Sequence, residues 1–211
     1  SMDAKFLYMS MTKYIDNACR ILNISGKPAA TPMSAPIDSD SPLLDKSQKR
    51  EFLTGLGMLG WLAQTVRCDV SYAYSHIGQH SANPTESALR AVRKAFSYLQ
   101  GTKDLCIRAP LYTEDLDITS ITYSQRSEKC AWRFYCDSDH AGNAEPQNRR
   151  RSQNGLLVTI NDAPVLWQSK ASSVTFASPL IDEAHADTSS GAVEIYAAGN
   201  ATMDIMGLLC S

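Results

Sequence analysis

The sequence predicts an α+β fold, with helices gathered in the first half and strands in the second. Two observations carry this. Apolar residues recur at helical spacing up to about residue 100. After residue 130, apolar runs of strand length are bounded by turn residues, in the order strand, strand, strand, helix. That order implies an antiparallel meander backed by a helix.

Taken along the chain, Ile15, Ala18, Cys19 and Leu22 fall on one face of a helix over about 11–23. The run SGKPAATPMSAPIDSDSP follows, and its four prolines among Ser, Gly and Asp mark an extended linker. Residues 46–63 carry Phe52, Leu53, Leu56, Leu59, Trp61 and Leu62 and predict a helix despite Gly55, Gly57 and Gly60. Glycine weakens a helix, and close helix–helix packing is the plain reason for the three. Residues 69–80 predict another helix, with Val70, Ala73, Tyr74 and Ile77 on one face. His76 and His80 stand four apart there. Without a third ligand nearby they read as surface or satisfied histidines. Asn83-Pro84-Thr85-Glu86 then reads as a helix start, with Asn83 as N-cap, Pro84 first and Glu86 third. The stripe Leu89, Val92, Phe96 and Leu99 follows, and Gly101 reads as its stop. Arg90, Arg93 and Lys94 lie off the stripe and read as a solvated face, with phosphate tracking as the minor alternative.

Residues 105–125 read as strand and loop. Strands are predicted at 132–137, 154–160 and 164–169, with a tight turn at Asn161-Asp162-Ala163-Pro164 and a helix over about 190–207.

Composition narrows the class. The 211 residues are 44% apolar, enough for a sizeable core in one large or two small domains. No apolar run reaches the roughly 18 residues of a membrane span, and the N-terminal stretch lacks the features of a signal peptide. A start at Ser1 rather than Met implies a processed product or a piece of a longer chain. The 6 cysteines form no CxxC pair, which disfavours a zinc knuckle or a disulfide scaffold and suits reduced thiols in an intracellular protein, cytoplasmic or nuclear. Residues 1–110 hold 13 Lys and Arg against 9 Asp and Glu, whereas residues 111–211 hold 7 against 13. Neither half is basic enough to announce nucleic-acid binding by charge. The acidic second half is compatible with a carboxylate metal site.

The chemistry concentrates in WRFYCDSDHAG, residues 132–142, where an apolar-rich run ends in Asp137 and Asp139. A strand can carry Asp137 to a sheet end, where a carboxylate can hold a divalent cation. Downstream, SSGAVEIYAAGN at 189–200 is a capped helix start with Glu194 on its first turns. A strand-end Asp and an early-helix Glu suit magnesium and phosphodiester chemistry if they meet. Taken alone, the same acids also fit ordinary turn chemistry and helix-dipole compensation.

Several segments together resemble the Pol polyproteins of copia-type retrotransposons. TVRCDVSYA at 65–73 is similar to their TRPDIxYA, with Cys68 in place of proline. NPTE at 83–86 followed by YLQGTKD at 98–104 resembles NPTE…YLKGTKD. YCDSDHAG at 135–142 resembles YSDSDWAG, RRSQNG at 150–155 resembles RRSTSG, VLWQSK at 165–170 resembles ISWKSK, and SSGAVEIYA at 189–197 resembles SSTEAEYxA. The resemblance implies that residues 1–110 form a helical region like the thumb and connection of reverse transcriptase. It implies that residues 111–211 form a partial RNase H-like domain. The implied activity is metal-assisted cleavage of the RNA strand of RNA–DNA hybrids. Asp137 would be the central magnesium-bridging carboxylate and Glu194 the second ligand, with Asp139 a neighbour rather than a ligand. Arg150 and Ser152 would touch the hybrid backbone. The rest of the polyprotein is a further implied partner, and no membrane is. The family's third and fourth metal ligands have no counterpart up to Ser211, so part of the metal site is expected to be missing. The alternative is an inactive nucleic-acid-associated relic or interaction module. An unrelated α+β interaction protein fits six ordered matches poorly.

Overall fold

The computed structural model describes residues 6–34, 36–110, 132–139 and 152–171. They fall into two units, one within Ser1–Tyr123 and one within Ser124–Ser211. The first unit contains strand β1 (Phe6–Met9), helices α1 (Thr12–Ile21) and α2 (Lys46–Thr65), a 3-10 turn (Cys68–Val70), helices α3 (Ser71–Gly78) and α4 (Glu86–Gly101), and strand β2 (Ile107–Pro110). The second contains β3 (Trp132–Ser138), β4 (Gln153–Ile160) and β5 (Ala163–Ala171). This is the α+β order that the periodicity predicts. The helix expected over 190–207 lies outside the described residues. No described helix is long and apolar enough to cross a membrane.

Each helix of the first unit has a local reason to start or stop. The α1 helix ends in a Schellman turn: Asn23 takes φ 50°, and the Ile24 and Asn23 N–H groups donate to the carbonyls of Cys19 and Arg20. At the start of α2, Asp45 Oδ1 accepts the Gln48 N–H while Gln48 Oε1 accepts the Asp45 N–H, a reciprocal capping box. The start of α4 differs from the sequence expectation. Its N-cap is Thr85, not Asn83, and the Thr85 hydroxyl accepts the Ala88 N–H. Asn83 and Pro84 precede the helix, and the Pro84 carbonyl accepts the Leu44 N–H.

The helices meet on one apolar core. Ile15, Cys19 and Leu22 of the α1 segment, Phe52, Leu56, Leu59 and Leu62 of α2, Ile77 of α3, and Leu89, Val92, Phe96 and Leu99 of α4 are all buried in it. Each large apolar side chain removed from water contributes roughly 1.5–3 kcal/mol. Leu53 and Trp61 depart from expectation: both are about half exposed.

The glycines of α2 divide by face. A Cβ on Gly55 would lie 2.6 Å from Val92 Cγ1, and one on Gly60 would lie 2.7 Å from Tyr74 Cε2. Those two permit α4 and α3 to approach. Gly57 is exposed and has nothing within 4 Å of a built Cβ, so packing does not explain it. Gly101 belongs to the same story. It is the last residue of α4 and has no positive φ, so it is not the stop that the sequence suggests. A Cβ there would lie 2.5 Å from Pro28 Cβ.

Pro28 belongs to the proline-rich stretch, which is not a free linker. Irregular backbone needs partners for its N–H and C=O groups, and α4 supplies many of them. Ser97 Oγ accepts the Ala29 N–H, Ser87 Oγ accepts the Asp38 N–H, and the Thr85 hydroxyl donates to the Asp38 carbonyl. Lys94 bonds Ser34 Oγ, and Ile37 is buried in the core. The prolines forbid a helix, and the serines of α4 turn the stretch into a packed strap.

A buried arginine ties the helices together. Arg67 is 2% exposed. Its Nε and Nη2 donate to Asp69 Oδ1 and Oδ2 at 2.9 and 2.7 Å. Its Nη1 and Nη2 reach the Thr102 carbonyl and Oγ1 at 3.0 and 2.7 Å, at the end of α4. The Tyr98 hydroxyl donates to Asp69 Oδ2 at 2.8 Å, and the guanidinium carbon sits 5.7 Å from the centre of the Tyr98 ring. Burial alone would discharge these groups. Burial lowers the Arg67 pKa, but hydrogen bonds and charge from Asp69 outweigh it and leave it raised. Burial raises the Asp69 carboxyl, but Arg67 and Tyr98 outweigh it and hold it low.

His76 and His80 are buried rather than surface groups, with ring centres 5.9 Å apart. The strand β1 is absent from the sequence expectation. It pairs antiparallel with β2 from Phe6↔Pro110 to Met9↔Ile107, and the Arg108 guanidinium lies 3.8 Å from the centre of the Phe6 ring.

Two predictions follow from this packing. Gly55→Ala and Gly60→Ala should destabilise by about 1–3 kcal/mol through overpacking. Gly57→Ala should stabilise by up to about 1 kcal/mol through helix propensity, so denaturant midpoints should move in opposite directions. Asp69→Ala strands Arg67 without its counter-charge and should cost about 3–5 kcal/mol. A depressed Asp69 pKa gives stability that is complete above the ordinary carboxylate value and fades as pH falls through the folded value. Thermal melts should therefore show acid-induced loss below about pH 4, and that slope should flatten in the variant.

Candidate functional site

The second unit places one of the predicted acids at the end of a sheet. The strand β3 pairs antiparallel with β4, with Trp132↔Ile160 at one end and Asp137↔Gly155 and Ser138↔Asn154 at the other. The β4 strand pairs antiparallel with β5, from Gln153↔Ala171 to Ile160↔Ala163. Among the described residues β4 is central and the order is the meander β3-β4-β5. The β4–β5 turn is the predicted one. Asn161 and Asp162 both take positive φ, 51° and 67°, as a two-residue type I′ hairpin requires. Asp162 pairs with Arg133 on β3. The register shifts between Val158 and Thr159, where Thr159 faces Pro164 and Val158 faces Leu166. A proline is tolerated at this bulge on a strand that is an edge among the described residues. Leu156 and Val158 are buried, and Leu166 packs on them.

Alternation along β3 sets its chemistry. Trp132 and Phe134 lie on one face with rings stacked 6.2 Å apart, and Arg133, Tyr135 and Asp137 take the other. Asp137 is exposed. Its register partner Gly155 has no side chain to cover it. Its Oδ1 accepts the Ser138 N–H at 2.9 Å. Around it lies a row of polar contacts. Ser138 Oγ bonds Asn154 Oδ1 at 2.7 Å, and Gln153 Nε2 donates to Ser169 Oγ at 2.8 Å. Asp139 Oδ1 accepts the Gln153 N–H, and the Asp139 N–H donates to the Gln153 carbonyl at 3.1 Å. Asp139 is thus engaged with the neighbouring strand.

The other predicted site residues are distributed differently. Ser152 stands just before β4 and is 5% exposed, so its hydroxyl faces protein. Glu194 and Arg150 lie outside the described residues, and so does the convergence of Asp137 with Glu194. Among the described residues no group of three His, Cys, Asp or Glu side chains is placed to hold a metal ion. The role of Asp139 in closing the strand pair is the feature that sequence reasoning missed. A second acid two residues after a strand-end acid was the available signal.

The relatives of this chain are transposon polyproteins. The chain is 30% identical to the Retrovirus-related Pol polyprotein from transposon RE1 of Arabidopsis thaliana over 78% of its own length and 10% of that protein. It is 28% identical to the Retrovirus-related Pol polyprotein from transposon RE2 of the same plant, again over 78% of the chain and 10% of the relative. It is 22% identical to the Retrovirus-related Pol polyprotein from transposon TNT 1-94 of Nicotiana tabacum, over 78% of the chain and 12% of the relative. No family model matches the chain, and no solved structure matches it significantly. These homologues are Pol polyproteins of copia-type retrotransposons, and the chain spans about a tenth of their length.

Proposed function

We propose that the second unit is an RNase H-type segment that acts on the RNA strand of RNA–DNA hybrids. The observation that carries the reading is Asp137, an exposed carboxylate at the end of the first strand of an antiparallel meander, opposite a glycine. The Pol names of the relatives support it.

The donor chemistry suits magnesium. Asp137 offers a hard, anionic, solvent-facing oxygen. Magnesium takes one or two carboxylates and fills its remaining positions with water and substrate phosphate. Asp137 and Glu194 would hold the ion. When bound, it would supply Lewis acidity for hydrolysis of a phosphodiester. The remaining work falls to this chain's side chains. Gly155 leaves the flank of Asp137 open to a strand of nucleic acid. Arg150 would neutralise a backbone phosphate. Ser152, being buried, would act by fixing the start of β4 rather than by touching the hybrid.

Two readouts test this on the full chain. With magnesium, a labelled RNA–DNA hybrid should be cut slowly, and Asp137→Asn should abolish the cutting. Manganese(II), used as a paramagnetic substitute, should broaden the amide signals of Asp137, Ser138, Asn154 and Gly155 first, and Asp137→Asn should remove that effect. Cleavage that survives the substitution, or a chain showing neither cleavage nor localised broadening, would overturn the reading.

A further inference from the structure

We infer that Asp139 is a positioning residue, a side-chain pin that ends the β3–β4 ladder and holds Asp137 in place. The inference rests on the reading of Asp137 as a cation-holding acid.

The argument begins with the register. Ser138 faces Asn154, so the next rung would join Asp139 to Gln153. In a continuing ladder these two residues would exchange both main-chain hydrogen bonds. Only one of them follows that pattern: the Asp139 N–H donates to the Gln153 carbonyl at 3.1 Å. The reciprocal Gln153 N–H goes to the Asp139 carboxylate. The side chain therefore stands in for the residue's own carbonyl. The last rung is kept while the chain is released to leave the sheet, and a carboxylate accepting a main-chain N–H makes a stronger bond than a neutral carbonyl.

The rung is coupled to Asp137 through one residue. Ser138 sits between the two acids, its hydroxyl bonds Asn154, and its N–H donates to Asp137 Oδ1. Fixing Asp139 on Gln153 and Ser138 on Asn154 fixes the backbone from which Asp137 projects. Gln153 is held in turn by Ser169 on β5. All three strands thus brace the end that carries Asp137. Partners that orient a metal-holding side chain commonly contribute a factor of 10–100 in metal affinity. The two acids of the DSD sequence then have different duties, one toward the cation and one toward the neighbouring strand.

The test compares Asp139→Asn with Asp139→Ala in the full chain. Asparagine keeps an oxygen acceptor for the Gln153 N–H without the charge, and alanine removes it. Amide exchange is read at Gln153 and at Ser138, whose N–H reports where the Asp137 carboxylate sits. Manganese affinity is read from broadening around Asp137. Asp139→Ala should speed exchange at both amides and weaken manganese about tenfold or more, while Asp139→Asn stays within a few-fold of the parent on both. Unchanged Leu156 and Val158 signals would show that the sheet remains folded. Loss of manganese with both variants while Gln153 stays protected would make Asp139 a ligand and overturn the inference. Unchanged exchange in Asp139→Ala would overturn it too. If the parent shows neither hybrid cleavage nor a manganese site at Asp137, the RNase H-type reading falls, and the two amides still decide whether the pin exists.

Discussion

Arg67 is the constraint around which the first unit is arranged. A guanidinium at 2% exposure must find partners for its donors. They come from two parts of the chain, Asp69 two residues on and Thr102 at the end of α4. Satisfying Arg67 therefore fixes where α4 ends relative to the turn that leads into α3. Tyr98 completes the arrangement by donating to Asp69 and lying against the guanidinium. The most family-like motifs of the first half, TVRCD and YLQGTKD, thereby acquire a physical meaning. Their Arg, Asp, Tyr and Thr are one hydrogen-bonded assembly, and that assembly is structural.

The strap shows the same economy with neutral groups. A proline-rich stretch cannot satisfy its own backbone, and α4 presents Ser87, Ser97 and Thr85 where that backbone passes. Small residues set the distances. Gly101 lets Pro28 approach α4, and Gly55 does the same for Val92 against α2. The core is thus tightened by residues that contribute no apolar side chain.

The second unit carries the candidate chemistry on a simpler frame. A three-stranded meander brings Asp137 opposite Gly155, exposed and beside a polar row that braces its backbone. Burying that acid would have forced it toward the neutral form or toward a counter-charge. Its exposure suits the role toward a cation that we propose for it.

The sequence by itself determined the elements whose signal is local. The α1 face of Ile15, Ala18 and Cys19, the α4 stripe from Leu89 to Leu99, the three strands and the Asn161-Asp162 turn follow from periodicity and turn chemistry within a few residues, and they appear where expected. The position of Asp137 at a strand end was legible for the same reason. What lay beyond sequence was decided between distant residues. The β1–β2 pair joins segments a hundred residues apart, and Phe6–Met9 is too short to announce a strand alone. The strap looked like a linker because its partners sit on α4. Asn83 looked like the N-cap because it precedes a proline, but the bond of Pro84 to Leu44 and the hydroxyl of Thr85 moved the cap by two residues. Gly55, Gly57 and Gly60 are chemically identical, and only the tertiary structure separates the two that admit a neighbouring helix from the one that faces solvent. The same holds for the two aspartates of DSD: their spacing is visible in one dimension, but which of them is engaged by the next strand depends on register, which only the paired sheet contains.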